Sequence, residues 1–171
     1  MNVVTAVDAG AAVREIHVNV AEVAVAQGTG LLTTCGLGSC VAIALFDAAS
    51  QIGGLAHILL PGADRSRPSD RAAKYAETAV PFLLAEMRHA GSRATPVAKI
   101  AGGASMFGAL LGNSGVNMGE RNVDATRNAL VRAGVPIIGE DVGGEHGRSI
   151  YFDVATGAVR VHSLRRGDRW L

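Results

Sequence analysis

Apolar residues run through this chain with two different periods, and the switches between them divide it into strands and helices. IHVNVAEVAVAQ, from Ile16, is valine-rich and partly alternating, which predicts a strand near 16–25 ended by Gly28 and Gly30. LLTT reads as a short strand, CGLGS as a tight turn, and CVAIALFD as a buried strand over 40–46. After the turn DAASQ, IGGLAHILLP predicts a strand over 52–59. The short connection makes these last two an antiparallel hairpin. Residues 1–14 show no such pattern and are expected to be irregular.

The period then lengthens. GADRSRPSD is a polar loop, and Ser69 or Asp70 is expected to cap a helical region ending at Gly91. Tyr75, Ala79, Leu83 and Met87 recur every four residues and mark its apolar face. Pro81 inside that pattern predicts a kink, or two helix pieces meeting there. VAKIAGGAS reads as a strand ending in a Gly102-Gly103 turn. The segment 106–118 is glycine-rich and fits no single element. GERNVDATRNALVRAG predicts a helix over 120–133 closed by Gly134. VPIIGEDVGG is a strand into a glycine turn, and RSIYFDVATGAVRVHSL a hairpin turning at ATG. The helices fall together between groups of strands. That order favours a layered α/β sandwich of mostly antiparallel or mixed sheet, with at least two helices, over a doubly wound parallel sheet. No repeat or linker interrupts residues 1–171, so one domain is expected.

Composition narrows the function classes. Hydrophobic residues make up 49% of the 171, enough for a real core. A formal charge of +1 and only 4% aromatics give no nucleic-acid footprint. No apolar run approaches the roughly 20 residues that span a bilayer, so no membrane insertion is expected. The N-terminal stretch, with Asp8, Arg14 and Glu15, does not read as a signal peptide, so a cytoplasmic protein is expected. Cys35 and Cys40 are then thiols, and C-x4-C matches neither common zinc spacing nor a C-x-x-C redox pair.

Cys40 and His57 form the first chemical candidate. One starts the first strand of the hairpin and the other lies near the end of the second, a spacing that permits contact across the pair. A histidine in reach of a thiol can take its proton and make a nucleophile. Backbone N–H groups of Gly36, Gly38, Ser39 and Cys40 could face a shared hollow and hold an oxyanion, with Gly38 and Ser39 the leading candidates. Thr33 or Thr34, on the neighbouring short strand, could orient the histidine. A buried structural cysteine and a satisfied core histidine are the plain alternatives. Cys35 has no evident partner, and His17, His89, His146 and His162 are scattered singly. GLGSCV lacks the third glycine of a dinucleotide fingerprint and is not a GxSxG elbow. Glu140, Asp141 and Glu145 read as a solvated acidic loop, and Arg121-Asn122 as a helix opening.

The blocks LLTTCGLGSCVAIALFD, GGLAHILLPG, YAETAVPFLLAEMRHAG, AKIAGGASMFG, GERNVDATRNAL, PIIGEDVGGEHGRSIYFD and TGAVRV resemble, in order and spacing, the CheD chemoreceptor glutamine deamidases of bacterial chemotaxis. The resemblance runs from about Leu31 to Val161. It implies a sandwich similar to the catalytic domain of cytotoxic necrotizing factor toxins. It implies Cys40 as nucleophile, His57 as its base and Thr34 as the third site residue, with Thr33 one position away as the alternative. The reaction implied is hydrolysis of glutamine side chains to glutamate and ammonia through a thioester, with no metal or organic cofactor. The partners implied are the cytoplasmic helical region of methyl-accepting chemoreceptors and, in some members, a CheC-type phosphatase; the enzyme is expected to be a monomer. A non-catalytic adaptor for receptor or phosphatase, and a transamidase, are the rival readings.

Overall fold

The computed structural model describes residues 3–6, 14–62, 71–105 and 117–171. Its strands are β1 (Val3–Ala6), β2 (Arg14–His17), β3 (Val23–Gln27), β4 (Gly30–Leu37), β5 (Val41–Asp47), β6 (Ile52–Ile58), β7 (Val97–Gly102), β8 (Ile137–Val142), β9 (Arg148–Asp153), β10 (Val159–Ser163) and β11 (Gly167–Trp170). Its helices are α1 (Ala76–His89) and α2 (Met118–Arg132). A six-stranded sheet runs β1-β3-β6-β5-β7-β8 and a five-stranded sheet β11-β10-β9-β4-β2. Pairing is antiparallel except for β1 with β3, β2 with β4, and β7 with β8.

Alternation along the strands explains the layering. Val41, Ile43 and Leu45 of β5 join a core with Leu83 and Met87 of α1 and Val123 and Leu130 of α2. Ala42 and Ala44 face the other way, into a core shared with Leu32 of β4 and Ile150 and Phe152 of β9. Both helices therefore cover one face of the six-stranded sheet, and the five-stranded sheet covers the other. The result is the layered α/β sandwich. With both faces covered, β6 is buried at every position. Its Gly53 and Gly54 are small for a reason. A Cβ on Gly53 would lie 2.8 Å from the Phe152 ring, and one on Gly54 would lie 2.7 Å from Leu83 of α1.

The β5–β6 and β9–β10 hairpins and the strand at β7 stand where the pattern puts them. Several elements differ. The expected strand near 16–25 is two strands in different sheets, β2 and β3. Between them the chain turns at Ala21 (φ 61°), and the Glu22 carboxylate accepts from Asn19 N and Nδ2 at 3.2 and 2.9 Å. Within the expected irregular 1–14, Val3–Ala6 pairs with β3 and β2 starts at Arg14. The CGLGS turn is shorter than expected, because Cys35–Leu37 continue β4 through a bulge at Gly36 (φ 75°). Ser69 and Asp70 lie outside the described residues; α1 is instead preceded by Tyr75, with no side-chain cap. Pro81 does not divide α1, since Ala79, Val80, Leu83, Leu84 and Met87 are buried on both sides of it. Most of 106–118 also lies outside the described residues, but α2 begins at Met118, where Asn117 Oδ1 accepts from Glu120 N at 3.2 Å. The exposed β11 carries no apolar alternation and had no signal. No helix among the described residues is long and apolar enough to cross a membrane.

Asp47, at the end of β5, is 2% exposed. It accepts from Ser92 Oγ at 2.7 Å and from the backbone N–H groups of Ala49, Ser50, Arg93 and Ala94. Burial alone would raise its pKa, but these donors outweigh it and hold the carboxyl well below the usual carboxylate range. Asp47→Ala should cost about 3 kcal/mol in urea unfolding, because several donors lose one charged acceptor. The stabilisation is full above about pH 5, declines below the unfolded carboxylate's ~3.9, and is gone below the depressed native value. The difference between wild type and Asp47→Ala should therefore shrink on acidification.

Candidate active site

The β5–β6 hairpin sets Ala42 opposite His57 and Val41 opposite Ile58. Cys40 sits just before β5 and packs with Ala42 and Leu55 against the core between the sheets. Counting back by two from Ala42 makes Cys40 the diagonal neighbour of His57 on that face. Diagonal pairs lie about 7–8 Å apart, within reach of an imidazole and a thiol. Cys40 is half-buried and His57 is 1% exposed.

The five-stranded sheet supplies the third residue. Thr34, on the inner face of β4, reaches across to His57, Oγ1 to Nδ1 at 2.7 Å. The same hydroxyl donates to Val18 O at 2.7 Å. One hydroxyl hydrogen cannot serve both, so with Val18 O taking it, Thr34 Oγ1 accepts from Nδ1–H. That tautomer leaves Nε2 with its lone pair free. Nε2 is buried and has no hydrogen-bond partner among the described residues. Val18 belongs to the turn between β2 and β3, and that turn also holds the His57 backbone: Ala21 N donates to His57 O at 2.9 Å, and His57 N to Glu22 O at 3.1 Å. Thr33 does not reach His57. Its hydroxyl lies 3.3 Å from His17 Nδ1 and 3.2 Å from Glu15 Oε1.

Electrostatics favours neutral partners. Burial, and then the charge of His17, press the His57 imidazolium down to about 4, against an opposing contribution from the Val18 carbonyl. Burial pushes the Cys40 thiol up, and its own backbone N–H opposes this. The resting state is thus thiol and imidazole rather than an ion pair.

Three successive carbonyls before β5 are each held by a donor from another element. Gly38 O accepts from Ala104 N at 2.8 Å, and Cys40 O from Gly103 N at 2.7 Å. Ser39 O accepts from Asn122 Nδ2 at 2.8 Å. Within a trans peptide the N–H points opposite to the carbonyl. The Cys40 N–H therefore points away from Asn122 of α2 and the Ser39 N–H away from Ala104, whereas these bonds do not fix the Gly38 N–H. The turn at 102–104 fits closely under α2: a Cβ on Gly119 would lie 2.4 Å from Gly103 O. Asn122 was legible only as part of a helix opening; it is fully buried.

Elsewhere the expected acidic loop is partly strand. Glu140 and Asp141 lie on β8 and pair with Arg127 at 2.6 Å and Arg148 at 2.7 Å. His146 is buried, and His162 bonds Asp168 at 2.6 Å. Cys35 is an exposed free thiol. Among the described residues no three His, Cys, Asp or Glu side chains gather as a metal site requires.

A thiol diagonal to an imidazole with an open Nε2, beside peptides whose carbonyls are held in place, is equipped for acyl transfer through sulfur. Comparison with known proteins gives the family. The model of the CheD family, described as chemotactic sensory transduction, matches residues 59–163. A Geobacter metallireducens protein named probable chemoreceptor glutamine deamidase CheD 2 is 44% identical over 153 residues, 88% of this chain and 94% of that protein. A Caldanaerobacter subterraneus protein named probable chemoreceptor glutamine deamidase CheD is 38% identical over 91% of this chain and 97% of its own length. Thermotoga maritima chemoreceptor glutamine deamidase CheD is 38% identical over 89% of this chain and 94% of its own. This chain belongs to the CheD family. The family-model match starts two residues after His57, but an alignment over 91% of the chain necessarily crosses residues 34–57.

Proposed function

We propose that this protein is a cytoplasmic protein-glutamine deamidase of bacterial chemotaxis, one domain over residues 1–171, acting on chemoreceptors. The observation that carries the reading is the Thr34–His57 bond, which leaves Nε2 free on the face that Cys40 shares. The names of the relatives supply the substrate class. As the substrate glutamine enters, His57 Nε2 takes the Cys40 proton and Sγ attacks the side-chain amide carbon. Ser39 and Cys40 N–H hold the oxyanion. His57 returns the proton to the leaving nitrogen, ammonia departs and a thioester remains. Water then attacks the thioester, giving one proton to His57, and the thiol is restored as glutamate leaves. Thr34 keeps Nδ1 protonated throughout. Methyl-accepting receptor helices as substrate, a CheC-type phosphatase as a further partner and a monomeric enzyme complete this reading.

Hydroxylamine provides the test. With a purified chemoreceptor cytoplasmic fragment, it should divert the thioester into glutamyl hydroxamate at the sites that otherwise become glutamate. Deamidation that proceeds without any hydroxamate would contradict the thioester.

Thr34→Val should lower kcat about 10- to 100-fold, since an orphaned buried Nδ1–H costs ~1–3 kcal/mol and releases the tautomer. Thr34→Ser should restore most of it. Equal activity of the valine variant in a fragment assay would remove Thr34 from the site.

A further inference from the structure

We propose that Asn122 is a positioning residue that sets the Cys40 N–H as an oxyanion donor by holding the Ser39–Cys40 peptide. The inference rests on the deamidase reading above. Asn122 lies in α2, fully buried, and its Nδ2 donates to Ser39 O at 2.8 Å and Leu59 O at 3.0 Å. These carbonyls adjoin the two reacting groups: Ser39 immediately precedes Cys40, and Leu59 follows His57 by two residues. One amide thus pins the start of β5 to the end of β6.

The hydrogen-bond pattern of the turn singles this residue out. The outer two of the three successive carbonyls, on Gly38 and Cys40, are held by backbone N–H groups of Ala104 and Gly103. Such donors are present with almost any side chains. The middle carbonyl is held by the Asn122 side chain. It belongs to the same peptide as the Cys40 N–H, so the direction of that N–H follows from the Asn122 bond. Asn122 Oδ1 is buried and has no hydrogen-bond partner among the described residues. An orphaned buried acceptor disfavours folding. Its presence fits a position where two amide donors are required whatever the other end of the group does. Thr126, one turn on, donates to Asn122 O at 2.8 Å and serves as a structural control.

The test compares Asn122→Ala, Thr126→Val, Cys40→Ala and wild type on a purified chemoreceptor cytoplasmic fragment, measuring ammonia release, thermal unfolding and Cys40 alkylation by iodoacetamide. Alkylation develops no oxyanion, so a merely structural defect would lower it together with hydrolysis. In Asn122→Ala, kcat should fall about 10- to 100-fold while KM and the alkylation rate stay within about two-fold of wild type. Thr126→Val should lose stability and keep kcat. Should the alanine variant fail to fold, Asn122→Ser, with a single short donor, takes its place with the same expectations. Unchanged kcat in a folded Asn122 variant, or equal losses of hydrolysis and alkylation, would overturn the proposal while an active wild type and an inactive Cys40→Ala leave the deamidase reading standing. An inactive wild type overturns both.

Discussion

Cys40→Ala is expected to reduce ammonia release from a chemoreceptor fragment by roughly 10⁴-fold or more, with the fold intact. The proposed route has no other nucleophile. Cys35, the second thiol, is exposed on β4 and does not join the core against which Cys40 packs. Cys35→Ser should therefore keep full activity. Because Cys40 is only half-buried, shortening it leaves a small gap at the mouth of the hairpin rather than a cavity deep in the core. Thermal unfolding should move little, which separates loss of chemistry from loss of structure. Substantial activity in Cys40→Ala would rule out the sulfur route.

His57→Gln is expected to lower kcat/KM by about 10³-fold, through loss of the base that shares a face with the thiol. The pH profile of the wild type gives a sharper sign. His57 must be neutral to accept the proton, and burial holds its pKa at about 4 instead of 6.5. The acid limb of kcat/KM should therefore fall near pH 4, with no inflection in the range of an ordinary histidine. Stability changes in the opposite sense to an ion-paired histidine. Below about 6.5 the unfolded chain binds a proton that the folded chain refuses until about 4, so His57 costs stability as pH falls through that window. His57→Gln removes this contribution and should show a flatter acid limb of thermal stability between those values. An activity limb near 6.5 would mean that the site is wetter, or the imidazole better paired, than the geometry has it.

Much of this site could be read from residues close in sequence. The β5–β6 hairpin follows from two apolar runs and a short turn, and the hairpin alone brings Cys40 and His57 to one face. Thr34 could be named as a candidate, but Thr33 could not be separated from it. The choice depends on strand parity across two sheets, which places Thr34 inward against His57 and Thr33 toward Glu15 and His17. The turn between β2 and β3 was hidden because the valine-rich run continues across it, with the alternation slipping by only one position between Val20 and Val23. Val18 lies inward in the five-stranded sheet's core and Val23 in the helix-side core of the other sheet, so both are apolar for different neighbours. That turn nonetheless carries the Val18 carbonyl that fixes the Thr34 hydroxyl. Asn122 was hidden for another reason. Asparagine near a helix start reads as surface or cap, whereas here the start of α2 packs closely on the 102–104 turn and Asn122 is buried.

The most direct measurement is peptide mass spectrometry of a chemoreceptor cytoplasmic fragment incubated in ¹⁸O-water with wild type or with Cys40→Ala. Defined glutamines should become ¹⁸O-labelled glutamates with wild type and stay amides with the variant. Conversion by both proteins, or a receptor that binds wild type and keeps every amide, would contradict a Cys40-dependent deamidase.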